Sequence, residues 1–557
     1  MPKLFKSLVA AATVLALAAC AQLPKSSEIK IGPDIKSDSS ADYLYYSPPG
    51  PSTGETQQDI LDGFLNAGTG PQNDYEVARK YLAQGFRSKW NPNDEVLIQE
   101  GTPQISFGSS QTARVSVQVQ ASVDADGHYQ VMDAGTTRML DFQMVRENGE
   151  WRISQAPNLT ILIRPVFDVI FKSYSIYFYD QPRTHLVPDL RWFPSRASTA
   201  TRMINALLDG PSQWLKPAVV SVIPTGTALS LSSVTVANGV AAVDLNAKVL
   251  SLKAPDKQLM KAQIRATLSQ LPNVYGVSIS VERGPQEILD RTDVQPSKIS
   301  GNAVILTGDQ LESLNSDGSS PVAGSQSLVQ KFGATDFAIT NAQDWVALKN
   351  AFGVYRARLG IFAATPKLID SRPGLLAPSF DAYGYLWTVP KQPNQPILVT
   401  ATDDARSTLK PGWIDSYPRR QFAISAEGSR IAFLVGSGTS VSVEVAAIIR
   451  NSAGLPIGLA APLEVVKASD SPIAVSWSDE NTLAVLTNQG SGSATAEYVS
   501  IGGSSTQLGS IDSAKLIAAQ NAADVVYAID SAQNLYEYKN LNWSLIDIKV
   551  LAVHFAN

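Results

Sequence analysis

One cysteine and three histidines in 557 residues confine thiol and imidazole chemistry to Cys20, His128, His185 and His554. A structural zinc site needs several such ligands at close spacing, and this scatter does not supply them, so no metal ligand is expected. A Cys–His nucleophile pair is equally disfavoured, because Cys20 closes an apolar run as the last residue of Leu17-Ala18-Ala19-Cys20. Among the carboxylates, Asp141 and Asp244 stand out. General acid–base work needs a second group on the same face. Asp141 is out of phase with Leu140, Phe142 and Met144, which marks it as surface charge. Asp244, in "AVDLN", reads as a strand-end cap with no accompanying carboxylate. No nucleophile elbow, metal cluster or paired-acid motif is present in the sequence. The expectation is a protein without catalytic residues, metal or cofactor.

The surroundings of Cys20 assign it a different chemistry. Lys3 and Lys6 precede a 12-residue apolar stretch, Leu8 to Ala19. That stretch is too short for a hydrocarbon core of about 30 Å and has the form of a signal peptide over residues 1–19. Leu17-Ala18-Ala19-Cys20 is similar to the bacterial lipobox, which implies a diacylglycerol thioether at Cys20 and cleavage before it. Two or more acyl chains, at ~0.8 kcal/mol per buried CH₂, give stable anchoring where one is marginal. Residues 20–55, rich in Ser, Pro, Asp and Lys, form a tether. Its roughly 35 residues, at about 3.3 Å each, reach on the order of 100 Å. The apolar stretch 159–179 contains Arg164, Pro165, Asp168 and Lys172, so it reads as a connector and a buried strand. A net charge of −5 and a pI near 5.5 argue against nucleic acid as a partner.

Three folding units follow the tether. Over 56–184, "TQQDILDGFLNAG" predicts a helix capped by Thr56, and "DYEVARKYLAQGF" predicts a second with Tyr75, Ala78, Tyr81, Leu82 and Phe86 on one side. Strands follow, with Val115, Val117 and Val119 inward and hairpin turns at Asp126-Gly127 and Asn148-Gly149. Over 185–290, helices alternate with short strands around an Asn238-Gly239 turn, and Gly210-Pro211 stops the first helix. Over 300–557 the pattern is all-β. Aligning Trp345, Leu386, Ile431, Leu483 and Leu535 gives steps of 41, 45, 52 and 52, the period of propeller blades. Five or six blades fit. Trp387, Trp413, Trp477 and Trp543, at blade spacing, are expected to pack between blades.

The helix-then-sheet unit resembles the nuclear-transport-factor-like cone. "LVPDLR", "ALLDGP", "IPTGTALS", "VANGVAAVDLN" and "IRATLSQLPNVYGVSISV" resemble the GerMN domain of spore germination proteins. The order lipobox, "YSPPGPSTGETQQDILDGFLNA", GerMN-like unit, then "FDAYGYLWTV" and "ISAEGSRIAFLV" resembles the actinobacterial lipoprotein LpqB family. The fold class implied is multidomain, α+β and all-β: cone, GerMN α/β domain, C-terminal β-propeller. The resemblance further implies a lipid-anchored accessory on the extracytoplasmic face of the cell membrane. Its partner would be the outer domain of the sensor kinase MtrB, with effects on MtrB–MtrA signalling in envelope homeostasis and division. A peptidoglycan- or glycan-binding envelope module is the alternative reading.

Overall fold

Thr56 opens the first helix, α1 (Gln57–Ala67), with a reciprocal cap: its hydroxyl accepts the Asp59 N–H while the Asp59 carboxylate accepts the Thr56 N–H. The computed structural model describes residues 48–556 apart from 110, 197, 300, 316–317, 361–364, 411, 491 and 521–524. The expected signal segment, Cys20 and most of the tether lie outside the described residues. Helix α2 (Glu76–Lys80) is shorter than its periodicity predicts. At Tyr81 the backbone leaves the helix to pair with a sheet edge: the Ile153 N–H donates to the Tyr81 carbonyl at 3.0 Å, and the Ala83 N–H to the Ile153 carbonyl at 2.8 Å. The strands are β1 (Glu95–Ser109), β2 (Thr112–Asp124), β3 (Tyr129–Val131), β4 (Thr137–Glu147), β5 (Glu150–Gln155) and β6 (Thr160–Ile163). They form one sheet in the order β5-β4-β2-β1-β6, with β3 on β2. Val115, Val117, Leu140, Phe142 and Met144 are buried with Ile60, Leu61 and Phe64 of α1, as the alternation demands. The β4–β5 turn holds Asn148 and Gly149 at φ of 55° and 85°, the left-handed pair a two-residue hairpin requires.

Stretch 159–179 resolves into β6, helix α3 (Arg164–Ile170) and β7 (Phe171–Asp180). No described helix is long and apolar enough to cross a membrane. β7 pairs with β8 (Leu186–Pro194) along its whole length and with β9 (Val219–Val220). A boundary at 184/185 would cut this hairpin, so the division between the first two domains falls near residue 170 instead. The second domain adds helices α4 (Thr199–Asp209) and α5 (Ala254–Leu268), and strands β10 (Thr235–Ala237), β11 (Val240–Leu245), β12 (Gly276–Val281) and β13 (Gly284–Gln286). β11 and β12 are parallel and joined across α5, as a crossover helix demands. Ile176, Phe178, Met203, Ile204, Val243, Ile264 and Ile279 form one core between the helices and both sheets.

Among the described residues the third domain is a propeller of six sheets. Blade 1 combines Val304–Leu306, Leu311–Asn315 and Gly318–Pro321 with the C-terminal strand Ala552–His554. Blades 2 to 6 occupy 336–370, 379–409, 419–466, 472–512 and 514–549. Innermost strands touch in succession, and Ala552–His554 contacts the first strands of blades 2 and 6, so the ring closes through the chain's end. Trp345, Leu386, Ile431 and Leu483 all lie on the second strand of their blades. Leu535 does not. It lies on the third strand of blade 6, whose second strand is Val525–Asp530, so the last step of 52 overshoots by one strand. The tryptophans pack as expected of the blade period. Trp477 Nε1–H donates to the Ala423 carbonyl of the preceding blade at 3.0 Å, and Trp543 Nε1–H to that of Leu508 at 2.9 Å. Trp413 meets Phe433 edge-on at 6.0 Å, and Trp387 is fully buried.

Candidate functional site

Among the described residues, the histidine and carboxylates singled out above are engaged in holding the fold. His128 has the connectivity of a hydrolase triad: Nδ1 lies 2.8 Å from the Asp124 carboxylate and Nε2 lies 3.1 Å from Ser212 Oγ. The serine, however, is buried, and its hydroxyl donates to Asp189 Oδ1 at 2.6 Å while Arg191 donates to its oxygen at 3.3 Å. Its proton is committed to a carboxylate, away from the imidazole. Asp124, Asp126 and His128 also lie close enough together to suggest a cation site. Yet Asp124 Oδ1 accepts the backbone N–H groups of Asp126 and His128, and Oδ2 takes the ring. Burial pushes the Asp124 carboxyl up, but these hydrogen bonds outweigh it and hold the group below the ordinary carboxylate range. The cluster therefore clasps the β2–β3 turn to the second domain. Asp141 is exposed and pairs with Arg114 at 2.7 Å. Asp244 is buried, accepting the Ser280 hydroxyl and the Arg283 N–H, which ties the end of β11 to the turn after β12.

The polar centre of the molecule lies where the second domain meets the propeller. The turn between β7 and β8 carries Asp180, whose carboxylate accepts the N–H groups of Thr184 (2.7 Å) and His185 (3.1 Å) and the Tyr383 phenol from blade 3. His185 Nδ1 sits 3.0 Å from the same carboxylate. Burial raises Asp180, and hydrogen bonds from His185 and Tyr383 more than reverse it. The Arg450 guanidinium lies 4.2 Å from the Tyr383 ring centre and donates to Asp381 at 2.7 Å, where Trp387 Nε1–H also donates at 2.9 Å. A second clamp is Glu480 of blade 5, which accepts Ser175 Oγ (2.8 Å) and the Tyr177 phenol (2.7 Å) from β7. A third is Trp192 of β8. Its Nε1–H donates to the Gly502 carbonyl at 2.8 Å, and its ring packs on Tyr129 and Phe167 of the first domain, so it touches all three units.

Glu480 gives the junction a pH dependence with a definite sign. Burial holds its carboxyl above the ordinary value of 4.5 in the folded protein. A raised carboxyl contributes stability that is complete below the unfolded-state value and is lost as pH rises through the folded one. Glu480→Gln, neutral throughout, is expected to raise the melting temperature at pH 7 and to leave it unchanged near pH 4, as read by thermal melting across that range.

The cone interior is filled and the propeller axis is narrow, while a cavity of about 700 Å³ lined by His185, Lys298, Asp344, Trp345 and Asp381 opens where the propeller meets the second domain. Phe64, Trp90 and Phe142 pack tilted and edge-on in the cone interior, with centroids 5.0 Å apart for Phe64–Trp90 and 6.2 Å for Phe64–Phe142. The propeller axis retains about 110 Å³, stoppered by Ile299 from the linker and Phe555 from the C-terminal segment. Gln520 holds the stopper by donating to the Ile299 carbonyl at 2.9 Å. The turns joining first and second strands, including 381–384 and 478–481, face the second domain. The exposed turns at 351–352, 438–439 and 531–533 join second to third strands and so lie on the opposite face.

Sequence comparison is consistent with this organisation. Residues 50–168 match the model "Lipoprotein LpqB, N-terminal domain". Residues 175–287 match "Sporulation and spore germination", and 309–548 match "Lipoprotein LpqB beta-propeller domain". The chain is 24% identical to Lipoprotein LpqB of Thermobifida fusca over 89% of each chain. It is 25% identical to Lipoprotein LpqB of Bifidobacterium longum, covering 73% of this chain and 72% of that one. Among solved structures, the first GerMN domain of the sporulation protein GerM from Bacillus subtilis aligns with 22% of this chain and 97% of its own, at 20% identity and a TM-score of 0.19.

Proposed function

The chain belongs to the LpqB lipoprotein family, and from that membership we propose that it is a non-catalytic accessory held at the outer face of the cell membrane by lipid on Cys20. In this reading it binds the extracytoplasmic domain of the sensor kinase MtrB and modulates MtrB–MtrA signalling. The observation that carries the proposal is the use of the buried polar groups. Asp180 and Glu480 are spent on locking the second domain to the propeller and Asp381 and Arg450 on joining two blades, while the cone interior is packed and the propeller axis retains only about 110 Å³. What remains is a stiff body with broad surfaces, suited to docking. The propeller face with the turns at 351–352, 438–439 and 531–533 points away from the second domain and is the contact surface in this reading.

The mechanism is linkage. A partner that binds one state of a sensor better than the other shifts its equilibrium by the difference in binding free energy, and about 1.4 kcal/mol shifts it tenfold. Confinement of both proteins to one membrane raises their effective concentration, so a weak interface suffices. The test is reconstitution of the full-length lipoprotein and full-length kinase in the same vesicles. A several-fold change in the kinase autophosphorylation rate, lost when the lipoprotein is omitted, is the expected result. An unchanged rate together with no co-purification would overturn the proposal.

A further inference from the structure

A cleft of about 790 Å³ lies between the first domain and α4 of the second. Arg202, Asn205 and Asp209 of α4 line it at positions i, i+3 and i+7, which puts them along one helix face. Seven residues at a rise of 1.5 Å separate the cationic and anionic ends by about 10 Å. Each end is reinforced. Arg196 lies beside Arg202 and donates to Asn93 Oδ1 at 3.1 Å, while its Nε is buried with no partner. Asp126 lies close enough to Asp209 to push its carboxyl up, after burial. The helix dipole runs in the same sense, positive at the Arg202 end.

The charge within the cleft is only partly balanced: Asp74, which also lines it, favours the Arg202 cation, and Arg191 favours the Asp209 carboxylate. The Arg202 guanidinium makes no hydrogen bond or ion pair among the described residues. Burial and the neighbouring Arg196 pull its pKa down to about 10. The carboxylates of Asp126 and Asp209 also lack a hydrogen-bonded partner among the described residues. Like charges gathered in a partly desolvated site cost stability unless a complementary charge completes them. Two cations at one end, partly offset by an Asp74 that also pairs with Arg79, two anions at the other and the Asn93 and Asn205 amides in the lining describe the negative image of a dipolar, amide-containing molecule.

We propose that this cleft binds a zwitterionic peptide of about three residues in extended form, at about 3.3 Å per residue. Its carboxylate sits on Arg196 and Arg202, its ammonium between Asp126 and Asp209, and its amides against Asn93 and Asn205. A free extracellular peptide carries both charged ends, whereas a stem peptide joined to its sugar through an N-terminal amide carries only the carboxylate, so the occupant is a free peptide. The inference is independent of any kinase contact.

The test is calorimetric titration of the full-length protein in detergent with trialanine, its C-terminal amide, its N-acetyl form and a purified wall disaccharide-peptide. Trialanine is expected to bind, and either blocked form to bind at least tenfold more weakly. Arg202→Met should narrow the difference between acid and amide several-fold, leaving Arg196, without lowering the melting temperature, because it removes a buried cation with no hydrogen-bonded partner among the described residues. Asp209→Asn should erase the difference between free and acetylated amine, and it supplies the same test from the other pole if Arg202→Met does not fold. The wall disaccharide-peptide, acylated at its peptide N-terminus, is expected to bind as weakly as the N-acetyl form. No binding of trialanine, equal binding of trialanine and its amide, or binding of the wall fragment as tight as that of trialanine would overturn the proposal.

Discussion

Cys20→Ser is expected to abolish incorporation of labelled palmitate and to move the protein from the membrane to the soluble fraction, by more than about 100-fold in their ratio. The hydroxyl does not replace the thiol as the site of the thioether. A single acyl chain gives a membrane partition constant of about 10⁴ M⁻¹, and two or more make release negligible. Among the described residues no helix is long and apolar enough to cross a membrane. The variant body should remain folded, because its cores and junctions begin beyond residue 48. Thermal melting of the released protein should match that of wild type. Loss of regulation with an intact fold would show that confinement beside the membrane, and not the fold alone, is what the partner needs.

Asp381→Ala is expected to produce the largest loss of stability from a single side chain, about 3–5 kcal/mol, which is the cost of leaving a buried charge unpaired. Asp381 and Arg450 are 0% and 1% exposed and 2.7 Å apart. Asp381 also accepts Trp387 Nε1–H at 2.9 Å and the backbone N–H groups of Tyr383 and Tyr385 at 3.0 Å each. All four partners are donors, so Asn does not rescue: its amide must turn an N–H toward two of them. Arg450→Met should cost a similar amount, and the double variant clearly less than the sum, since each single change strands the other's charge. The urea midpoint of unfolding reads these differences. Because Arg450 also packs on Tyr383, which holds Asp180, the same variants should expose the β7–β8 turn to proteolysis.

Much of this architecture was readable from local signals. Asn148-Gly149 and Asn238-Gly239 are hairpin turns whose left-handed φ values follow from residue type alone, and the alternation of Val115, Val117 and Val119 fixed the inner face of β2. The blade period was visible because each second strand is an apolar run after a polar turn. Blade 1 was not, since its innermost strand, Ala552–His554, lies more than 200 residues beyond the other three and no contiguous stretch carries the full pattern. The boundary near residue 170 was missed for a related reason: β7 is apolar enough to continue the preceding segment, and only its pairing with β8 assigns it. The junction was least legible. Asp180, Glu480 and Arg450 look like solvated charges in sequence, and Glu480 meets Tyr177 across 303 residues. An acidic residue in the turn before the second strand of successive blades, at Asp381, Glu427 and Glu480, was the available signal.

The central claim is that a membrane-held body without chemistry of its own works by docking to a sensor. The most direct measurement is proximity crosslinking in living cells carrying the natively anchored protein, followed by identification of what is captured. The account predicts that the kinase MtrB is the main product and that it disappears with Cys20→Ser. Capture dominated by cell-wall enzymes, or of no membrane protein at all, would contradict it.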